Sequence, residues 1–419
     1  MVIKRDKYLK KLISKKENGL IKVVTGIRRC GKSYLLFYLY HEYLNSIGIS
    51  DTNIIELALD EITNARYRNP MELDAFIRAQ VMDKSQKYYV FIDEIQKVSE
   101  MQNPYVDDET AKIGFVDVLL GLMKIRNVDL YVTGSNSRML SSDILTEFKD
   151  RGDEIRVNPL TYSEFYAAFD GEKRYAWRQY YTYGGMPLIL SKKTHEEKSK
   201  YLKDLFAKTY LTDVLEHNRI LNEQMVLEDL LNIVSSSVGS LTNPTKLANT
   251  FQSVKHISIN ANTISKYLDF FIDAFIMCKV CRYDIKGKEY LQLQDKYYLA
   301  DIGLRYYLLG TRDVDQGRIL ENIVYLELIR RGYMVYVGKI GAAEVDFVAQ
   351  DYDGNIEYYQ VSWTVRDEKT LERELTPLDS IADHNPKYLL TMDNDPPVSH
   401  NGIRQVFVLD WLLASAELI

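Results

Sequence analysis

The stretch "IKVVTGIRRCGKSYLLFYLYHEYL", residues 21–44, reads as a short β-branched run, a glycine-bounded turn and a long apolar helix. That order is the setting in which the pattern G-x-x-x-x-G-K-[ST], met here from Gly26 to Ser33, binds phosphate. Backbone N–H groups from Gly26 through Ile27, Arg28, Arg29, Cys30 and Gly31 are expected to cradle a phosphate chain, with the helix N-terminus behind them. Lys32 is placed to reach the β- and γ-phosphates, Ser33 to ligate Mg²⁺ through its hydroxyl, and Tyr34 completes the first turn. The expected ligands are therefore ATP and Mg²⁺. Cys30 lies inside the loop, where a helix N-terminus can depress a thiol pKa, so a redox switch is one reading; a tolerated variable position is the other.

Further strands follow at the spacing of an α/β protein. "NIIELAL" (53–59) is one, and "YYVFIDEIQ" (88–96) is another that ends in two carboxylates where the apolar run meets its loop. Asp93 is expected to hold the Mg²⁺ shell and Glu94 to orient or deprotonate the attacking water, because phosphoryl transfer needs a metal and an aligned nucleophile. "VDLYVTGSNSRML" ends in small polar residues, among which Asn136, with Ser135 second, is the candidate sensor of the γ-phosphate; a plain strand-end turn is the alternative. Arg151 stands just before a fifth strand, "EIRVNPL", and is either an arginine finger for a neighbouring subunit, a surface arginine, or a residue acting within its own subunit.

At 419 residues the chain exceeds one ordinary core, and its 46% hydrophobic and 27% charged residues are those of a globular protein. No apolar run is long enough for a membrane span, the lysine-rich N-terminus does not read as a signal peptide, and three cysteines suit a reducing compartment. The expected location is cytoplasmic. Net charge is −6, yet residues 1–32 are locally basic, which is either a solvated helix face or a nucleic-acid contact.

The middle of the chain is read as a helical lid or linker over 171–230, interrupted at Gly184, Gly185 and Pro187, and a winged helix over 231–305. The latter rests on two helices in "NPTKLANTFQS" and "SINANTISKYLDFFIDAFIMCKV" and on a hairpin turning at Gly287, a module that either lies in a DNA groove or makes protein contacts. Cys278 and Cys281 have no partner pair at zinc spacing and are read as a buried helix end. From residue 306 the order helix, strand, strand, strand is that of PD-(D/E)xK nucleases, with Glu321, Asp346 and Gln360 forming the metal face. The lysine expected two residues after Gln360 is Ser362, so the site reads as a remnant, rescued only by a lysine from elsewhere such as Lys369 or Lys387.

Together, "GIRRCGKSYLL", "FIDEIQ", "TGSNSRML" followed by "NPLTYSEF", "YYTYGGMPLIL", "LADIGLR", "ENIVYLELIRRGYMVYVGK" and "EVDFVAQ" resemble the bacterial and archaeal AAA-type ATPases that join an AAA_14 core to a C-terminal DUF4143 domain. The resemblance covers almost the whole chain; Asp150, where the family commonly has glycine, departs from it. It implies an α/β P-loop NTPase domain of AAA+/STAND-like type over 1–170 with strand order 5-1-4-3-2, then the helical and winged-helix segments, then a restriction-endonuclease-like domain over 306–419. The expected function is ATP hydrolysis coupled to DNA, double- or single-stranded, in a possible homo-oligomer. The alternatives are a STAND-like switch that recognises a protein, and an ATP-controlled nuclease.

Overall fold

Five short strands, Ile21–Thr25 (β1), Ile54–Ala58 (β2), Tyr88–Asp93 (β3), Val128–Thr133 (β4) and Gly152–Arg156 (β5), pair in parallel in the order β2-β3-β4-β1-β5. This is the order the family resemblance implies, read from the other edge. A parallel sheet covered on both faces needs strands without polar alternation, and β3 is accordingly buried at every residue. The computed structural model describes residues 2–134, 151–211, 214, 215, 218, 224–310 and 316–414. It divides into two units, Met1–Asn158 with Asp273–Phe275, and Pro159–Ile272 with Ile276–Ile419.

In the first unit, Ile21, Val23, Val90, Ile92, Leu130 and Val132 from adjacent strands meet Leu73, Ile77, Leu119 and Leu122 from two helices in one core. Lys22, on β1, is fully buried and pairs with the carboxylate of Asp129 on the central strand β4, which also accepts from the Tyr131 hydroxyl at 2.7 Å. The basic N-terminus is partly consumed by structure. The Asp6–Ser14 helix buries Tyr8 and Leu12, Arg5 is buried and donates to the Asn158 carbonyl, and Lys15 pairs with Asp153, leaving Lys4, Lys10 and Lys11 exposed.

The second unit is built on an eight-stranded mixed sheet. Its strands are Met277–Asp284 (β6), Glu289–Leu299 (β7), Met334–Ile340 (β8), Ala343–Gln350 (β9), Ile356–Ser362 (β10), Lys387–Thr391 (β11), Val398–His400 (β12) and Ile403–Phe407 (β13). They lie in the order β12-β13-β11-β10-β9-β8-β6-β7. The sequence β8, β9, β10 is antiparallel throughout, preceded by the helix Gln316–Arg331 and followed by the helix Glu368–Asp379, after which β11 runs parallel to β10. The helix-strand-strand-strand order read from the sequence is present.

Two readings of the middle segment change. The helices Pro244–Thr250 and Ala261–Asp273 form, the latter with the Asn260 side chain accepting from the Asn262 N–H at 2.8 Å, but the hairpin β6-β7 is not a free wing. Residues Arg282–Asp284 pair in parallel with Val337–Lys339 of β8, so the hairpin extends the large sheet, an arrangement that satisfies backbone groups a free edge would leave open. Cys278 and Cys281 accordingly lie on strand β6 and not at a helix end, and Cys281 is exposed.

The glycines of "YYTYGGMPLIL" and the aspartate of "LADIGLR" explain each other. Asp301 caps the helix Ile302–Leu309 through the Gly303 N–H at 2.8 Å and accepts from the Gly185 N–H at 2.7 Å. Gly184 is left-handed (φ +79°), and a Cβ there would stand 2.0 Å from an Asp301 oxygen. Burial raises the Asp301 carboxyl to about 7, against the two N–H donors that favour its charge. Because the folded value lies above the unfolded one, the associated stability is complete below about pH 4 and is lost as pH rises to 7. The stability of wild type relative to Asp301→Asn is therefore expected to fall across that window by on the order of 4 kcal/mol. Urea denaturation of both proteins at pH 4.5, 6 and 7.5 measures it, and a pH-independent difference would show that Asp301 stays ionised.

Candidate functional site

The C-terminal ends of β1 and β3 bring the first set of predicted residues together. The loop leaving β1 turns at Gly26, whose φ of +135° and missing Cβ are both required, since a Cβ would lie 2.1 Å from the Val157 carbonyl oxygen. Gly31, also left-handed, opens the helix that begins at Lys32. The Lys32 ammonium is buried and donates to the Gly26 and Ile27 carbonyls at 2.8 and 3.2 Å, which holds it over the loop. Ser33 donates through its hydroxyl to Asp93 Oδ2 at 2.7 Å, joining the two predicted Mg²⁺ ligands across 60 residues of sequence. The other Asp93 oxygen accepts from the Thr133 hydroxyl at the end of β4.

Glu94 adopts a left-handed backbone (φ +56°), and its N–H donates to the Thr133 hydroxyl at 3.1 Å. Its carboxylate accepts from the Gln96 amide. Burial raises the Glu94 pKa, with the Asp93 charge adding to it and Lys32 and Arg28 opposing. A carboxylate moved toward neutrality is better matched to accepting a proton at physiological pH than an ordinary one. Thr133, which the sequence offered only as the start of a small polar stretch, is the hinge of this constellation because its hydroxyl donates to the Asp93 carboxylate and accepts from the Glu94 N–H. A hydroxyl and one carboxylate suffice for Mg²⁺, which keeps several waters and takes the rest of its shell from substrate phosphates, so the residues present fit that ion.

Other predicted residues stand elsewhere. Arg29 is exposed in a left-handed turn (φ +63°), while the Tyr34 hydroxyl accepts from the Ile3 N–H at 3.3 Å. Cys30 is fully buried with its thiol donating to the Val157 carbonyl at 3.3 Å, which withdraws it from oxidants and removes the redox-switch reading. Arg151 is exposed, and its carbonyl accepts from the Ile21 N–H at the opposite end of β1. Four residue steps at about 3.3 Å place its backbone some 13 Å from the phosphate loop along the strand, at the far end of the sheet. Ser135 and Asn136 lie outside the described residues.

A second constellation occupies the eight-stranded sheet. Asp346 on β9 accepts from the Val361 N–H at 2.8 Å, and its own N–H donates to the Gln360 side-chain oxygen at 3.2 Å. The Gln360 amide donates to Glu374 at 2.8 Å, and Ser362 donates to the Thr364 carbonyl at 3.1 Å. Glu321 accepts from the Tyr298 hydroxyl at 2.6 Å. The lysine absent from position 362 is supplied by neither expected source, since Lys369 is exposed and Lys387 donates to the Ile381 carbonyl. It comes from β7. Lys296, 2% exposed, lies 2.9 Å from Glu321, 2.7 Å from Glu344 and 3.8 Å from Asp346.

Burial alone would lower the Lys296 pKa, but these carboxylates outweigh it and hold it above the ordinary lysine range. Asp346 is raised by burial first and by the Glu321 charge second, with Lys296 opposing. Sequence spacing could not reveal Lys296, because it is set against the acids by a hairpin assigned from sequence to another module.

Comparison with known proteins follows the same division. A family model described as an AAA domain (AAA_14) matches residues 18–166. A second, a domain of unknown function (DUF8612), matches residues 174–315, where the resemblance drawn from sequence names DUF4143 for the part beyond. An uncharacterized protein of Haemophilus influenzae is 33% identical over 417 residues, covering 98% of this chain and 99% of its own length. One from Methanocaldococcus jannaschii is 27% identical, covering 89% of this chain and 80% of its own. Among solved structures, the Walker-type ATPase PABY2304 of Pyrococcus abyssi superposes with a TM-score of 0.50 at 16% identity, covering 73% of this chain and 96% of that one.

Proposed function

We propose, from the premise that this chain belongs to the family that the Haemophilus protein represents, with an AAA domain followed by a DUF8612 segment, that it binds ATP in the Gly26–Ser33 loop and hydrolyses it. The observation that carries this reading is the Ser33–Asp93 hydrogen bond at 2.7 Å with Glu94 beside it on the same strand end. Mg²⁺, when bound, neutralises charge on the phosphate oxygens; Ser33 and Asp93 are the residues that hold it. Lys32 binds the β- and γ-phosphates and Glu94 takes the proton of the attacking water. Asn136 senses the γ-phosphate.

The exposed Arg151, remote from its own loop, acts as a finger on a neighbouring copy in a homo-oligomer. The working location is the cytoplasm, and the partner is DNA, double- or single-stranded, contacted by the exposed lysines of the N-terminal helix and by the helix pair at 244–273. No described helix is long and apolar enough to cross a membrane.

The second unit is a PD-(D/E)xK-like fold used for binding or assembly, since Gln360 and Ser362 bring no charge to its acids. One observation favours the rival ATP-controlled nuclease, namely that Lys296 reaches Glu321 and Asp346 from β7.

Steady-state ATP hydrolysis with and without duplex and single-stranded DNA tests the proposal, with Lys32→Ala as the blank because it removes most ATP binding. Several-fold stimulation by DNA is the expected result. Slow turnover, indifferent to DNA and with nucleotide tightly retained, would replace it with a switch that recognises a protein.

A further inference from the structure

A cavity of about 600 Å³ opens in the second unit between the helix Lys173–Tyr183, the residues that follow β10, and the end of β13. Its size is that of small-molecule sites, which run from about 300 to 1,000 Å³. Its lining combines cationic and aromatic side chains. Arg174 and Arg178 are one helical turn apart, so their guanidinium groups share a stripe, and both are exposed. Trp177 and Tyr181 form the adjacent stripe at the same spacing, their rings 5.9 Å apart, and Tyr181 meets Trp363 at 5.6 Å.

The one carboxylate among the described residues of the lining, Asp410, is paired with Lys173 at 2.6 Å, and the Lys173 ammonium also stands 5.6 Å from the centre of the Phe407 ring. Among the described residues that leaves the two arginines as the net charge of the lining. Among the described residues neither is held in an ion pair. A burial this aromatic with two unspent cations selects a ligand that is flat, apolar on its faces and anionic at one side.

We infer that this cavity binds a nucleoside phosphate, its base against Trp363 and Tyr181 and its phosphate on Arg174 and Arg178. Guanidinium groups recognise phosphate through paired N–H donors, and bases stack on aromatic rings whatever their identity. Two sources offer this chemistry, a free mononucleotide and the 5′-terminal nucleotide of a single strand; a paired base does not present its faces. The inference does not rest on the ATPase reading, because every residue it uses belongs to the second unit.

The test uses the full-length Lys32→Ala protein, in which the phosphate loop no longer competes for nucleotide. Quenching of tryptophan fluorescence is titrated with 5′-phosphorylated pentathymidylate, the same oligomer without phosphate, and thymidine monophosphate. Binding of at least one phosphorylated probe is expected, weakened about tenfold or more by Arg174→Ala with Arg178→Ala, two exposed positions whose replacement is expected to leave the fold intact, which circular dichroism checks. Equal affinity for monophosphate and oligomer identifies a free nucleotide as the ligand. A tighter oligomer that depends on its 5′-phosphate identifies a strand end. No binding by either phosphorylated probe, or affinity unchanged in the double variant, overturns the inference.

Discussion

Glu94→Gln is expected to lower the rate of ATP hydrolysis by about 10²- to 10⁴-fold while leaving ATP binding close to wild type, the range that loss of a general base produces. The argument starts from the backbone. Glu94 follows β3 in a left-handed conformation that turns its chain out of the sheet, and its N–H is tied to the Thr133 hydroxyl, which also donates to Asp93. The two acids are thus held in fixed relation with distinct tasks. Asp93 is engaged by Ser33 and Thr133, as suits a metal ligand, whereas the Glu94 carboxylate accepts from the Gln96 amide among the described residues.

Glutamine keeps the size and the hydrogen-bonding oxygen but cannot accept a proton, and Lys32 and the loop amides proposed to bind the phosphates are untouched. Nucleotide affinity by equilibrium titration and single-turnover hydrolysis separate the two effects. Normal turnover in the variant would remove Glu94 as the base. Lys32→Ala gives the opposite pattern, a loss of binding, which makes the pair of variants diagnostic.

The phosphate-loop unit was legible because its chemistry is local in sequence. A glycine pattern between a strand and a helix, and two acids at a strand end, fix Lys32, Ser33, Asp93 and Glu94 without knowledge of the rest, and a fully buried parallel sheet leaves an unmistakable apolar run in β3. Thr133 was less visible, since a hydroxyl at a strand end has no signature until β4 lands beside β3. In the second unit the strands were readable and their partners were not. The hairpin of β6 and β7 has the same alternation whether it is a free wing or the edge of a larger sheet, and only its parallel pairing with β8, more than 50 residues later in the chain, decides. The glycine pair at 184–185 and Asp301 were visible as motifs, but their mutual packing joins segments over a hundred residues apart.

That late pairing is also what delivers Lys296, and Lys296→Met is expected to destabilise the protein by about 3–5 kcal/mol, the cost of breaking a buried ion pair from one side. Wild-type Lys296 neutralises part of the charge of Glu321, Glu344 and Asp346, and Tyr298 supports Glu321 from the same strand. Methionine fills a similar volume but leaves three carboxylates facing one another with no cation among them. Burial and the Glu321 charge already raise the Asp346 pKa against the opposing Lys296, and without that cation the rise is larger, so stability is lost as pH rises and the deficit is expected to be smaller at pH 5 than at pH 8.

Chemical denaturation at both pH values measures this, and a deficit under about 1 kcal/mol at pH 8 would show that the acids are solvated or already protonated in the wild type. The same variant weighs the role of the site. If the cluster is structural, the wild-type protein leaves supercoiled plasmid intact in Mg²⁺ or Mn²⁺, since Gln360 contributes no charge to metal and Lys296 is held between Glu321 and Glu344. Metal-dependent nicking that disappears in both Asp346→Ala and Lys296→Met would instead make Lys296 the lysine of a working nuclease, contributed by the hairpin in place of Ser362.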